Sequence, residues 1–198
     1  MSCDRLVQGV IGMKIAISGC AGVGKTLTTQ VLSEKLTLIT GEPHTAITGI
    51  GRKVMIQRYG DASIYTKLNE CEMLDLKLEI IKQKIYVENN VKNFVADRSI
   101  LDYLGLAVIH CWKLLSWDNF ESLLDECSKH NQMYEKIFML QHGSIPLEND
   151  NIRFTHETYQ FLVEMVGRGL YHKLSSTIVE INEVEINRRI HAILQNIQ

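Results

Sequence analysis

The sequence predicts a three-layer α/β domain, with helices covering both faces of a five-stranded parallel sheet. Two observations carry that expectation. Short apolar runs alternate along the 198 residues with segments whose apolar side chains recur at helical spacing, and no internal repeat or low-complexity stretch interrupts them. Such alternation is how strands joined by covering helices read in a sequence. Between the first apolar run and the first helical pattern lies Gly19-Cys20-Ala21-Gly22-Val23-Gly24-Lys25-Thr26, which fits G-x-x-x-x-G-K-[ST] in its required strand-loop-helix context.

The elements follow in order. Residues 14–18 are short and mostly apolar, as a strand buried on both faces should be. Val31, Leu32 and Leu36 share one stripe of the helix after the loop, and a second strand is expected at 37–40. Residues 61–90 read as one long helix whose buried stripe is Cys71, Leu74, Leu78, Ile81 and Ile85, a core or dimer-contact face. The third strand is expected at 91–96, the fourth at 136–140 and the fifth at 177–181. Between the third and fourth, the apolar stretch from Leu104 to Leu124 places Trp112 and Trp117 in the core. Ile186, Ile190, Ile193 and Ile197 mark a last helix packed on the sheet, with Asn182 as its cap and Glu185 at the third helical position.

Composition narrows the function classes. A formal net charge of −2 supplies no basic field for DNA or RNA. The five cysteines form no C-x-x-C pair and no zinc spacing with the seven histidines, so they read as reduced thiols of a cytoplasmic protein. No apolar run is long enough to span a bilayer, and residues 1–12, which precede Met13, read as an N-terminal extension to a single domain over 13–198.

The glycine-rich loop dictates its own chemistry. Gly19, Gly22 and Gly24 let the chain curl so that backbone N–H groups and the positive end of the next helix converge on a polyphosphate. Lys25 then reaches the β and γ phosphates and the Thr26 hydroxyl sits on Mg²⁺. The expected nucleotide-binding set is Gly19, Cys20, Ala21, Gly22, Val23, Gly24, Lys25, Thr26 and Thr28. Cys20, beside Lys25 and a helix N-terminus, is a candidate for a low thiol pKa and sensitivity to thiol reagents.

Two carboxylates are expected at strand carboxyl ends, where open α/β sheets bind ligands. Asp97 ends the third strand, placed to hold a Mg²⁺-bound water, and Arg98 follows it to grip an anionic phosphate. Glu42, after the second expected strand, faces the loop as an acceptor-binding or proton-accepting group, with Pro43 stiffening the turn and Arg52 in reach of the same site. Tyr59, Tyr65 and Phe94 are candidate walls of an acceptor pocket.

These residues resemble the P-loop small-molecule kinases: thymidylate kinases, deoxynucleoside kinases and the ribosylnicotinamide-kinase-like group. The phosphate loop, Glu42-Pro43 and Asp97-Arg98-Ser99 carry the resemblance, which spans most of the chain. Gly41 stands where thymidylate kinases have arginine before Glu-Pro, and Asp97 where deoxynucleoside kinases have glutamate. The resemblance implies a P-loop kinase fold, ATP and Mg²⁺ as cofactors, and transfer of the γ phosphoryl to a small acceptor, a nucleoside or deoxynucleoside monophosphate or a nucleoside hydroxyl. It also implies a lid over about 141–156. There Pro146-Leu147-Glu148 leads through Asp150 to Arg153, which closes over the transferring group beside the catalytic Lys25, Asp97 and Glu42. Arg168, Arg188 and Arg189 are weaker candidates, the last two read mainly as solvated charges. Two rivals share the loop: a kinase of a hydroxymethyl pyrimidine base in DNA, disfavoured by the acidic composition, and a nucleotide-hydrolysing switch or ATPase. Guanine-specific switches carry N-K-x-D, which this sequence lacks. A homodimer through the long helix is compatible with its apolar stripe, and no membrane partner is expected.

Overall fold

A computed structural model describes residues 12–141, 156–174 and 176–197. The N-terminal extension and nearly all of the expected lid, Asp150 and Arg153 included, lie outside the described residues. Five parallel strands form one sheet: β1 (Lys14–Ser18), β2 (Thr45–Ile47), β3 (Phe94–Asp97), β4 (Lys136–Leu140) and β5 (Ile178–Ile181), in the order β2-β3-β1-β4-β5. The helices are α1 (Lys25–Thr40), α2 (Ile50–Tyr59), α3 (Glu70–Asn89), α4 (Ile100–Cys111), α5 (Trp117–Asn131), α6 (Glu157–Lys173) and α7 (Ile186–Gln195), with a 3-10 turn at Ala62–Lys67. Among the described residues no helix is long and apolar enough to cross a membrane.

The period of two along each strand divides the interior into two cores. Ala16, Phe94, Ala96, Ile137 and Met139 face a core shared with α2, α3, α4 and α5. Ile15, Ile17, Val95, Phe138 and Leu140 face the other, closed by Leu32 and Leu36 of α1 and by Ile190 and Ile193 of α7. This is the three-layer arrangement expected, with β1 at the sheet centre so that the loop after it opens between neighbouring strand ends.

Four local expectations need correction. The second strand is Thr45–Ile47, because α1 continues through residues 37–40 to an αL cap at Gly41 (φ 71°). The β-branched residues there suggest a strand, yet the Thr37 and Thr40 hydroxyls donate back to Ser33 O and Leu36 O at 2.9 and 2.8 Å, and Leu38 is 78% exposed. The segment 61–90 is likewise broken. An Asn69–Glu72 capping box starts α3 afresh, and its buried stripe is Met73, Leu76, Lys77, Ile80, Ile81, Lys84 and Glu88, rotated from the stripe expected and leaving Cys71 exposed. Trp112 and Trp117 are 64% and 85% exposed, since one caps the end of α4 and the other opens α5. Finally, Glu185 itself caps α7, accepting from the backbone N–H groups of Asn187 and Arg188, which displaces Asn182 from that role.

The rotated stripe buries charge. Lys84 and Glu88 are fully enclosed and 2.6 Å apart, and the second Glu88 oxygen lies 2.7 Å from both His130 Nε2 and the Tyr134 hydroxyl. Burial alone would raise the Glu88 pKa, but Lys84, His130 and Tyr134 outweigh it and hold the carboxyl below its ordinary range. Tyr134 OH also accepts from Ile100 N at 3.1 Å, linking this cluster to the start of α4. Removing one partner leaves the others desolvated and unpaired. Glu88→Ala is therefore expected to lower unfolding free energy by about 3–5 kcal/mol at neutral pH, measured by urea denaturation.

Candidate active site

The loop between β1 and α1 is shaped by what touches it. Gly19 (φ 132°) passes so close to the end of β4 that a Cβ there would lie 2.9 Å from Leu140 O, and Gly24 takes the αL conformation (φ 83°) that turns the chain into α1. Two polar side chains brace the loop from behind. Gln160 of α6 accepts from Ala21 N at 2.9 Å, and Arg189 of α7 donates to Val23 O and Thr28 Oγ1 at 2.9 and 3.1 Å. Arg189 is thus a buried strut and no solvated charge, whereas Arg188 is exposed. Thr28 is also fully buried, bonded to Gly24 O at 2.9 Å, and supports the loop from beneath.

A cavity of about 650 Å³ opens above this loop. Ala21, Gly22, Gly24, Lys25 and Thr26 form its floor, Asp97 and Arg98 one wall, and Arg52, Met55, Tyr65, Lys77 and Tyr103 its far side. Thr26 Oγ1 donates to Asp97 Oδ2 at 2.5 Å, so a hydroxyl and a carboxylate converge at the exposed start of α1. That donor pair fits Mg²⁺, which takes one or two protein oxygens and fills its remaining positions with phosphate and water. Among the described residues there is no group of three or more His, Cys, Asp or Glu side chains able to hold a metal alone.

Arg98 is held in an unusual backbone state, φ 77°, uncommon for a residue with a Cβ and costing about 1–3 kcal/mol. A buried polar hub retains it. Asp102 Oδ2 accepts from Ser99 N at 2.8 Å, Asp102 Oδ1 accepts from Ser18 Oγ at 2.6 Å, and the Tyr171 hydroxyl lies 2.6 Å from Ser99 Oγ. With Arg98 N donating to Ile17 O at 2.9 Å, the end of β1 and the turn after β3 are one unit. Burial works against the Arg98 charge, but Asp102 and Asp97 more than compensate and raise its pKa.

The lysines are less well compensated. Lys25 is 7% exposed, donates to Cys20 O, and is pushed down to about 7 by burial and by Arg98, with Asp97 and Asp102 pulling the other way. Lys77 is 3% exposed; its Nζ donates to Tyr65 OH at 2.5 Å and lies 4.6 Å from that ring's centroid. Burial takes it down to about 7 as well. Cys20 departs from expectation: its thiol is 2% exposed and raised by burial, which outweighs Lys25, so the chain hides the sulfur from reagents.

Of the residues singled out in the sequence, Lys25, Thr26, Asp97, Arg98, Arg52 and Tyr65 meet at this cavity. Glu42 does not. With β2 starting at Thr45, Glu42 precedes the strand and stands at the amino end of the sheet, where it pairs with Lys92 and Asn93, each at 3.0 Å. Phe94 is buried in the core, Tyr59 packs against that core, and Arg168 is engaged by Glu164 and Glu180 at 2.9 and 2.6 Å. Lys77 and Gln160 are not singled out in the sequence, and Arg189 reads there mainly as a solvated charge, whereas Gln160 and Arg189 brace the loop. For Lys77 and Arg189 the available signal was a cation at a core-face position: Lys77 among Met73, Leu76 and Ile80, and Arg189 beside Ile190.

An AAA-domain family profile (AAA_28) matches residues 14–189. The chain belongs to this family. No match was found among curated protein sequences. The fold is similar to that of a NadR protein in complex with NR (TM-score 0.65, 11% identity), with 94% of this chain aligned. The chain spans about half the length of that protein, 50%. It also resembles deoxyadenosine kinase from M. mycoides (TM-score 0.60, 14% identity, 93% and 98% of the two chains) and thymidylate kinase from Ehrlichia chaffeensis (TM-score 0.59, 16% identity, 94% and 98%). At these identities the likeness establishes a P-loop nucleoside and nucleotide kinase fold for this AAA-domain chain.

Two depressed lysines make stability depend on pH. Each holds its proton less tightly folded than unfolded, so the unfolded chain binds more protons above pH 7 and folding strengthens as pH rises. Between pH 7 and about 8.5, below the range where buried thiols reverse the trend, ligand-free protein is expected to gain up to about 1.4 kcal/mol per pH unit from each lysine. Lys77→Met removes one share of that slope and raises the thermal midpoint at pH 7, as followed by denaturation across the pH range.

Proposed function

We propose that the protein is an ATP- and Mg²⁺-dependent phosphotransferase acting on a nucleotide or nucleoside. The observation that carries this reading is that the phosphate loop shares one cavity with Arg52, Tyr65, Lys77 and Tyr103. Hydrolysis needs room for one water beside the γ phosphate, whereas about 650 Å³ houses an organic acceptor next to the donor phosphates.

The residues divide the work. Backbone N–H groups of Gly22, Gly24 and Lys25, at the positive end of α1, bind the donor's phosphates. Thr26 and Asp97 hold Mg²⁺, which when bound neutralises charge on the β and γ phosphates. Lys25, poised near 7, regains its proton against the polyanion and stabilises charge at the transferring group. Arg98, fixed by its backbone and by the Asp102 hub, supports the same oxygens from the side. Arg52 and Tyr65 line the acceptor end. Arg153, in the segment outside the described residues, is proposed to close over the site from a lid. Little covalent chemistry falls to the protein in such a transfer, and positioning with charge neutralisation supplies most of the rate.

A nucleotide-hydrolysing role is the second reading, favoured by the AAA-domain match over residues 14–189, a family not confined to kinases. Label from γ-phosphate-labelled ATP separates the two: transfer to a nucleoside or nucleotide supports the kinase, and release only as inorganic phosphate in every acceptor's presence removes it. Lys25→Ala is expected to lower turnover at least about a hundredfold with the circular dichroism spectrum retained. Glu42→Ala, at the opposite end of the sheet, is expected to leave turnover unchanged in the same assay.

A further inference from the structure

The acceptor end of the cavity is rich in cations, of which Arg98 is compensated by Asp102 and Asp97. Arg52, Lys77 and Arg98 line it together with Lys25, while Asp97 is the one carboxylate among the described lining residues, and it is bonded to Thr26. No carboxylate pairs with Lys77 among the described residues. Its Nζ is held instead by the Tyr65 hydroxyl, over that ring, on a helix face where its buried neighbours are Met73, Leu76, Ile80 and Ile81. A cation placed on a core stripe, in a cavity and without a counter-charge, lacks an anion. We propose that the anion is the acceptor's own: Lys77 is the specificity-determining residue for a phosphate monoester acceptor, a nucleoside monophosphate rather than a neutral nucleoside.

The proton balance agrees. This inference rests on the kinase reading above, in which an acceptor oxygen bonds to the γ phosphorus and the bond from that phosphorus to the β–γ bridging oxygen breaks, the electron pair leaving with ADP. When the attacking oxygen belongs to a phosphate dianion, a dianion and the ATP tetra-anion become two tri-anions and no proton need be removed. A hydroxyl acceptor releases a proton and calls for a base. Of the groups around Lys77, the Tyr65 and Tyr103 hydroxyls are raised well above their ordinary range by burial, and His110 behind Tyr65 is driven down to about 4 by burial and by Lys77. Lys77 itself is faced by Tyr65 of the 3-10 turn, Arg52 of α2, Arg98 after β3, Tyr103, His110 and Cys111 of α4, and Tyr159 of α6 beside His110. A dianion entering this group restores the Lys77 proton.

The test uses the intact protein with Mg²⁺ and labelled ATP against matched nucleosides and nucleoside monophosphates, with ATP and acceptor binding measured separately by calorimetry. Label is expected in the monophosphates. Lys77→Met should raise acceptor KM about ten- to a hundredfold while ATP affinity holds, and Lys77→Arg should restore most of it. Wild-type acceptor KM should climb as pH rises from 7 to 9, and the arginine variant should flatten that climb. Transfer to nucleosides alone, or a Lys77→Arg variant as inactive as Lys77→Met through loss of kcat, would make Lys77 a base for a hydroxyl acceptor and overturn the inference with the kinase reading intact. Absence of ATP binding, or hydrolysis without transfer, would overturn both.

Discussion

Asp102 is where the sheet, a helix and the site are tied together. It sits inside the first turn of α4, accepts from Ser99 N to complete a capping box, and reaches across to Ser18 at the end of β1 and Tyr171 of α6. Charge-assisted bonds in a buried setting are strong and leave no cheap alternative when broken. Through them the loop after β1 and the turn after β3 keep a constant separation, which lets Thr26 and Asp97 meet and holds Arg98 in a conformation its own backbone disfavours. Strain at a site persists only when its surroundings over-determine it.

The same rigidity explains how the cavity tolerates its cations. Lys25 and Lys77 are buried at a cost that a stability-optimised core would avoid by using Met or Leu in their place. Each keeps one oxygen partner, Cys20 O for Lys25 and Tyr65 OH for Lys77. Burial pushes both down to about 7. The contrast with Lys84 is instructive. That lysine, on the same stripe of α3, is matched by Glu88 and belongs to the scaffold, while Lys77, two turns away, faces the cavity without such a match.

Much of the fold was legible from the residues. Strands β1 and β4 fall where their apolar runs put them, and β3 and β5 differ at their edges only, β3 as a buried apolar run up to Asp97 and β5 despite the exposed Glu180 within it. β2 was misplaced because Thr37, Leu38, Ile39 and Thr40 have strand-like side chains, and helix continuation was decided by the Gly41 cap and by threonine hydroxyls bonding back along α1. The move of the strand from 37–40 to Thr45–Ile47 carries Glu42 from one end of the sheet to the other. Apolar spacing alone points to a different stripe of α3, because the buried face includes Lys77, Lys84 and Glu88.

By itself the sequence determined the phosphate loop, the layer order and the carboxylate at the end of β3, since each rests on local spacing: a fixed motif, a period of two or 3.6, and a strand end. Only the tertiary structure decided which face of α3 turns inward, which arginine supports the loop, and which charges share one cavity. Those outcomes depend on residues far apart in the chain being desolvated together, and a pattern confined to neighbours in sequence carries no record of that.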